Sequence, residues 1–201
     1  MFGFFKKKNK RLSVSDKVWQ STEETKNNLM EDIRLKTEEN IQVCLFYYFE
    51  DTKKELEELL QQKGLENNSK IELFSASKFA YSIRLESQLK KHFERGNATI
   101  FFVEHYPSYA KEKAVLEKIG ILLGQKTAVI FYTSLESSLL KMFGSERIVE
   151  LMKKMGYAEN ECAEHAMISK SIQRAQEKLE KKVENEIEAD SQEEWFKRNG
   201  I

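Results

Sequence analysis

The apolar positions of the chain fall alternately into short unbroken runs and into longer stretches where they recur every three or four residues. The run IQVCLFYYF (41–49) is β-branched and aromatic almost throughout, as expected of a strand buried on both faces. KIELFSA (70–76), ATIFFVE (98–104) and KTAVIFYTS (126–134) predict three further strands. Between them the spacing turns helical. A helix is expected from a cap at Ser21 or Thr22, with Glu23 and Glu24 in its first turn and Leu29, Met30 and Ile33 inward, to about Asn40. EDTKKELEELLQQKG (50–64) predicts a second, with Leu56, Leu59 and Leu60 inward and Gly64 at its C-terminal cap. Two more are predicted over 78–95, ending near Gly96, and over 109–123, bounded by Gly124. Strands alternating with helices imply right-handed crossovers and a mostly parallel sheet covered on both faces, an α/β architecture.

After Ser134 the pattern is helical only. Leu135, Leu139, Leu140, Met142 and Phe143 lead to a break at Gly144–Ser145, and Ile148, Leu151, Met152 and Met155 continue to Gly156. Ile168, Ile172, Ala175, Leu179, Val183 and Ile187 then form a stripe at steps of three and four. Such a stripe needs a partner surface. It either folds back on its own domain or forms a docking seam for another protein or for a second copy in a homodimer. Trp195 and Phe196 near the end make a terminal anchor or a frayed tail. The organisation expected is a flexible basic arm (1–15), an α/β domain (16–157), an amphipathic helix (158–188) and a tail (189–201).

Composition narrows this picture modestly. At 201 residues and 23.6 kDa the chain can bury one sizeable core. Its 33 basic and 33 acidic side chains cancel, so bulk charge gives no argument for nucleic acid. Two cysteines, Cys44 and Cys162, are too few for a disulfide framework and fit a reducing compartment, the cytoplasm. No apolar run approaches the roughly 20 residues that span a bilayer. MFGFFKKKNKR lacks the apolar core and cleavage site of a secretory signal. Phe2, Phe4 and Phe5 with Lys6, Lys7 and Lys8 could touch an anionic membrane surface, each cation contributing about 1 kcal/mol before screening. The alternative for this arm is a solubilising extension.

Candidate chemistry is sparse. The chain holds no G-x-x-x-x-G-K-[ST], no G-x-G-x-x-G and no G-x-S-x-G. Its strand-to-helix turns, FEDTKK, SASKF and EHYPSY, lack the glycines that wrap a phosphate, and Asp51 would repel one. Lys78, Arg84 and Lys111 are the cations available near the strand ends. Cys162 and His165 make half a zinc site at most, with Cys44 expected inside a buried strand. Glu104 beside His105 is the best-placed acid–base pair, set against a plain hydrogen-bonded strand end. Tyr47 and Tyr48 are expected in the core with hydroxyls near the sheet edge. No catalytic, cofactor or metal residue is nominated.

The wording of the C-terminal third carries a resemblance. FYTSLESSLLKMFGSERIVELMKKMG resembles the close of the second nucleotide-binding domain of SecA, the bacterial preprotein-translocase motor, where F-Y-x-S-x-E leads into L-x-x-x-F-x-S-[DE]-R. AEHAMISKSIQRAQEKLEKKV resembles the start of that family's helical scaffold. The matching residues are Phe131, Tyr132, Ser134, Glu136, Phe143, Ser145, Arg147, Glu164, Lys170, Ile172, Ala175, Gln176 and Glu180. More weakly, DKVWQSTEETKNNLMEDIRLKT and VCLFYYFEDTKKELEELLQQKGL are similar to the family's preceding helix and strand–helix unit. The resemblance covers about residues 16–185 and implies a RecA-like sheet with a scaffold helix. The departures are at the catalytic edge. TIFFVEHYPS stands where the family has T-x-M-A-G-R-G-T-D, and VLEKIGILLGQ has Glu117 and Ile119 where arginines are needed. Arginines that stabilise phosphoryl-transfer charge are worth about 10³–10⁵ in rate. The resemblance therefore implies a degenerate, cofactor-free relative: a non-catalytic accessory or adaptor in preprotein translocation. The alternatives are residual ATP binding completed by a partner, or a self-associating structural domain. Its expected partners are translocase or motor components, with no nucleic acid.

Overall fold

The computed structural model describes residues 12–124, 127–164 and 166–201. Strands β1 (Ser13–Trp19), β2 (Gln42–Tyr47), β3 (Ile71–Ser75), β4 (Ala98–Phe102) and β5 (Ala128–Ser134) form one all-parallel sheet in the order β1-β5-β4-β2-β3. Helices α1 (Thr22–Glu38), α2 (Glu50–Gln62), α3 (Ala76–Phe79), α4 (Ile83–Glu94) and α5 (Tyr109–Leu123) connect them. Helices α6 (Ser138–Lys141), α7 (Ser145–Lys154), α8 (Ala166–Glu180) and α9 (Gln192–Arg198) follow. The α/β architecture expected from the alternating pattern is the one found.

From β1 to β3 the chain steps one way across the sheet, and from β3 to β5 it steps back. Right-handed crossovers then place α1 and α2 on one face and α4 and α5 on the other. The first face packs Leu29, Ile33, Leu56 and Leu60 over Trp19, Leu45, Phe101 and Tyr132. The second carries a row of aromatic rings in strand register: Phe74 on β3, Phe46 on β2, Phe102 on β4 and Phe131 on β5. Adjacent rings stack at centroid distances of 5.1, 4.8 and 4.6 Å. In the same register the row ends at Asp16 on β1.

Three expectations are corrected. The arm was expected to reach residue 15, but residues 13–15 already belong to β1, a fifth strand. The segment SVSDKVW reads as polar because Asp16 points into the core, 3% exposed, and Lys17 reaches Asp32 at 2.7 Å on the other face. The helix expected over 78–95 is two helices: the chain breaks at Ala80–Ser82, and the Ser82 hydroxyl accepts from Leu85 N to start α4. The long stripe leaves helical geometry after Glu180, before it reaches Val183 and Ile187.

Helix α8 lies on its own domain, against α5 and β1. Ile172, Ala175 and Leu179 are 2%, 4% and 1% exposed, and Ile168 and Val183 pack at the margin of the same core. Ala163, just before α8, pairs with Val18 through both backbone groups (3.1 and 2.8 Å) and covers the free edge of β1. The segment after α8 is anchored by Trp195 and Phe196, 1% and 6% exposed.

Candidate functional site at the carboxyl edge of the sheet

In an open parallel sheet, ligands gather outside the carboxyl ends of the strands where the strand order reverses. Here that point lies between β2 and β4. The N-cap of α2 is Phe49, whose side chain gives no cap hydrogen bond. The amides of the N-cap and of the residue before it are met from the end of the neighbouring strand. Glu104 Oε1 accepts from Tyr48 N at 2.7 Å and from Phe49 N at 3.0 Å, while Oε2 accepts from Thr52 Oγ1 at 2.8 Å. Burial pushes the Glu104 carboxyl up to about 7, against the pull of those three donors.

The same device recurs on two more helices rising from this edge. Glu136 accepts from Thr22 N at 2.8 Å at the start of α1. Glu180, on α8, accepts from Ser108 Oγ at 2.7 Å and from Ala110 N at the start of α5. Helix N-termini favour anions. At α1 and α5 a carboxylate of the chain itself takes a first-turn amide, and at α2 one takes the cap amide and the amide before it.

Beside Glu104, His105 is 6% exposed and stacks on Phe131 with centroids 4.2 Å apart and planes 2° from parallel. Its Nε2 faces Asp16 Oδ1 at 2.7 Å and its Nδ1 faces Glu112 Oε2 at 3.0 Å. Burial alone would lower its pKa, but the Glu112 and Asp16 carboxylates raise it to about 10. Burial likewise pushes Asp16 up, yet the His105 charge leaves it below the usual carboxylate range. An imidazolium with both nitrogens donating to carboxylates has no lone pair for proton abstraction. Glu104 and His105 are neighbours in sequence whose side chains serve separate networks, which supports the structural reading of this pair over the acid–base one. Sequence spacing could not reveal the triad, because Asp16 lies 89 residues away on the edge strand.

The other candidates are dispersed. Lys78 and Lys111 border one open groove with a volume of about 990 Å³, but Lys78 is paired with Glu50 at 3.0 Å and Lys111 with Glu186 at 2.9 Å. Arg84 lies exposed on α4. Cys44 is fully buried in β2, where burial pushes its thiol well up, and Cys162 is half-buried elsewhere. No cluster of three metal-ligating side chains occurs among the described residues, and His165 lies outside them. Tyr47 and Tyr48 are buried, 6% and 7% exposed. Of the stripe, only Ile187 turns outward, 50% exposed. Phe2, Phe4, Phe5, Lys6, Lys7 and Lys8 lie outside the described residues. No helix among the described residues is long and apolar enough to cross a membrane.

The tail, which sequence reading left open, crosses this edge. Asp51 N donates to Asp190 O at 3.0 Å, Gln192 Nε2 to His105 O at 2.9 Å and Leu139 N to Gln192 Oε1 at 2.8 Å. Trp195 Nε1 donates to Glu186 at 2.9 Å. Several side chains that carried the resemblance hold these turns together: Gln176 Nε2 donates to Tyr106 O at 2.7 Å, Ser145 Oγ to Leu135 O, and Glu136 N to Ser134 Oγ at 2.9 Å.

Comparison with known proteins agrees with that wording. No family model matches the chain. A protein translocase subunit SecA from Cytophaga hutchinsonii is 29% identical over 191 residues, covering 85% of this chain and 17% of the relative. Another from Christiangramia forsetii is 41% identical over 98 residues, covering 49% of the chain and 8% of the relative. A third, from Chlorobium phaeobacteroides, is 51% identical over 51 residues, 25% of the chain and 5% of the relative. The chain carries a SecA-related region. It spans less than a fifth of the length of these relatives.

Proposed function

We propose that this chain is a non-catalytic, SecA-like accessory module acting beside a protein-translocation machinery. The observation that carries the reading is Glu104. Its carboxyl holds the Tyr48 and Phe49 amides and the Thr52 hydroxyl at the entry to α2, at the strand-order reversal, the place a nucleotide phosphate would approach, while the Asp51 amide in the first turn is taken by Asp190 O. A phosphate there would lose those donors and, above the raised Glu104 pKa of about 7, meet a like charge. The carboxylates at α1 and α5, the neutralised Lys78 and Lys111, and the tail across the edge support the same conclusion. The tail also weighs against a half-site completed by a partner, since that partner would have to displace a segment anchored by Trp195 and Phe196.

The translocation setting rests on the relatives, each named as a protein translocase subunit. A docking partner would meet the outward apolar residues Ile148, Met155 and Ile187, 49%, 63% and 50% exposed, rather than the buried middle of the α8 stripe. The test is a thermal-shift titration with ATP, ADP and magnesium beside a purified motor domain. No shift is expected for this chain at millimolar nucleotide. A saturable shift would overturn the non-catalytic reading, and repeated capture from native membranes without any translocation component would overturn the adaptor role.

A further inference from the structure

We propose that residues 1–11 of this chain dock in cis in the open groove between α3, the first half of α5 and the tail, with their phenylalanines on its apolar floor and their lysines against its unpaired carboxylates. The groove has a volume of about 990 Å³, at the upper end of the range for ligand pockets. Its floor is built of small side chains: Ala110 and Ala114, one turn apart on α5, line it together with Ala80 after α3 and Ala189 in the tail. Tyr81 stands at the rim, 89% exposed. Small residues beside an uncovered aromatic ring leave room for large apolar side chains, and aromatic rings pack favourably on one another.

The charge of the groove selects the occupant. Its cations are each paired, Lys78 with Glu50, Lys111 with Glu186 and Arg198 with Glu194. Glu188 and Asp190, exposed on its tail side, form no ion pair among the described residues, so the charge left over is negative. Residues 1–11 carry Lys6, Lys7, Lys8, Lys10 and Arg11 with no acidic residue, and Phe2, Phe4 and Phe5 lie ahead of the lysines. That composition answers both the apolar floor and the surplus anions, whereas an anionic ligand would be repelled. Reach is sufficient. Leu12 Cβ is 3.8 Å from where a Cβ on Gly120 would sit, which fixes the start of the described chain beside α5. Ala114 is six residues back along that helix, about 9 Å at its rise per residue, and the helix is about 10 Å across. The seven residues from Phe5 to Leu12 span up to about 23 Å when extended, and the ten from Phe2 up to about 33 Å. Ile121, one residue on from Gly120 and 87% exposed, offers an apolar surface on the outer side of α5 between the two.

The test is backbone NMR relaxation on the full chain, comparing wild type with the double variant Glu188→Lys/Asp190→Lys and with Ala114→Lys, which fills the floor and adds a like charge. In the wild type the amides of Phe4 and Phe5 should have order parameters near those of rigid backbone, about 0.85, and in both variants these should fall below about 0.6. All three substituted positions are exposed, so the spectrum of the sheet should stay unchanged. Conversely, replacing Phe2, Phe4 and Phe5 together by Ser should move the amides of Tyr81, Ala110, Ala114 and Ala189 and leave those of β1 to β5 in place. Wild-type order parameters at Phe4 and Phe5 below about 0.6, or values unchanged in the groove variants, would overturn the proposal. Ordering that sets in only as the protein is concentrated would seat the segment in a second copy, and ordering that requires anionic phosphatidylglycerol vesicles would assign it to a membrane. Either result would equally overturn docking in cis.

Discussion

Glu104→Gln should change the pH dependence of stability more than stability itself. The folded carboxyl has its pKa raised to about 7 from the ordinary 4.5, mainly by burial. A carboxylic acid with a raised folded pKa binds more protons folded than unfolded between those two values. Stability contributed by this group is therefore greatest below the unfolded pKa and falls as pH rises through the folded one. Each unit of difference corresponds to about 1.4 kcal/mol, so between pH 5 and pH 8 the wild-type chain should lose about 2 to 3 kcal/mol through this residue. Glutamine keeps an oxygen for the Tyr48 and Phe49 amides but cannot ionise.

Urea unfolding of both proteins at pH 5 and pH 8 isolates the effect, because every other titrating group, His105 included, is common to both and cancels in the double difference. Relative to wild type, the variant should gain about 2 to 3 kcal/mol on going from pH 5 to pH 8, a shift of roughly 1 M in midpoint with an ordinary urea slope. A relative stability that stays flat across that range would mean Glu104 ionises freely in the folded chain. The account of its burial would then be wrong.

Two other substitutions test the packing. Leu179→Ala, at a site 1% exposed, should cost about 2–5 kcal/mol in urea unfolding if α8 is docked as described; a cost well under 1 kcal/mol would show that the helix leaves the domain in solution. His105→Gln leaves Asp16 and Glu112 buried without their cation and should cost about 3–5 kcal/mol at pH 7. That cost should shrink at pH 4, where Asp16, no longer held down by the His105 charge, can take up a proton, whereas in the wild-type chain the stability from the raised His105 pKa is present at neutral pH and is lost as pH climbs through about 10. A cost independent of pH would rule out the charge argument.

Four of the five strands and their helices were legible because unbroken apolar runs leave few alternatives to a strand buried on both faces. β1 was missed for a physical reason: its inward Asp16 is neutralised by a histidine far along the chain, and periodicity sees only a polar residue in a short segment. The end of α8 was missed because a stripe at steps of three and four continues in the sequence after Glu180, where the backbone turns at Lys182 and Val183. At the candidate site, the turns EDTKK and EHYPS were read correctly as poor in glycine. What could not be read was that Glu104 would reach across to α2, since no local spacing connects residues 52 to 56 positions apart.

The residues that carried the resemblance to SecA and the residues that close the edge are partly the same residues. Glu136 and Glu180 each hold the first turn of a helix, and Gln176 holds the loop between His105 and α5. Gln176 satisfies a buried carbonyl that would otherwise be left without that partner, a cost of about 1–3 kcal/mol, while the solvent-exposed amides held by Glu136 and Glu180 contribute less. Against a total stability of roughly 5–15 kcal/mol for a domain of this kind, such side chains are held in place by folding alone. A sequence can therefore keep its scaffold wording for reasons of folding alone. On the function proposed above, Glu104, not the scaffold match, is therefore the position to test.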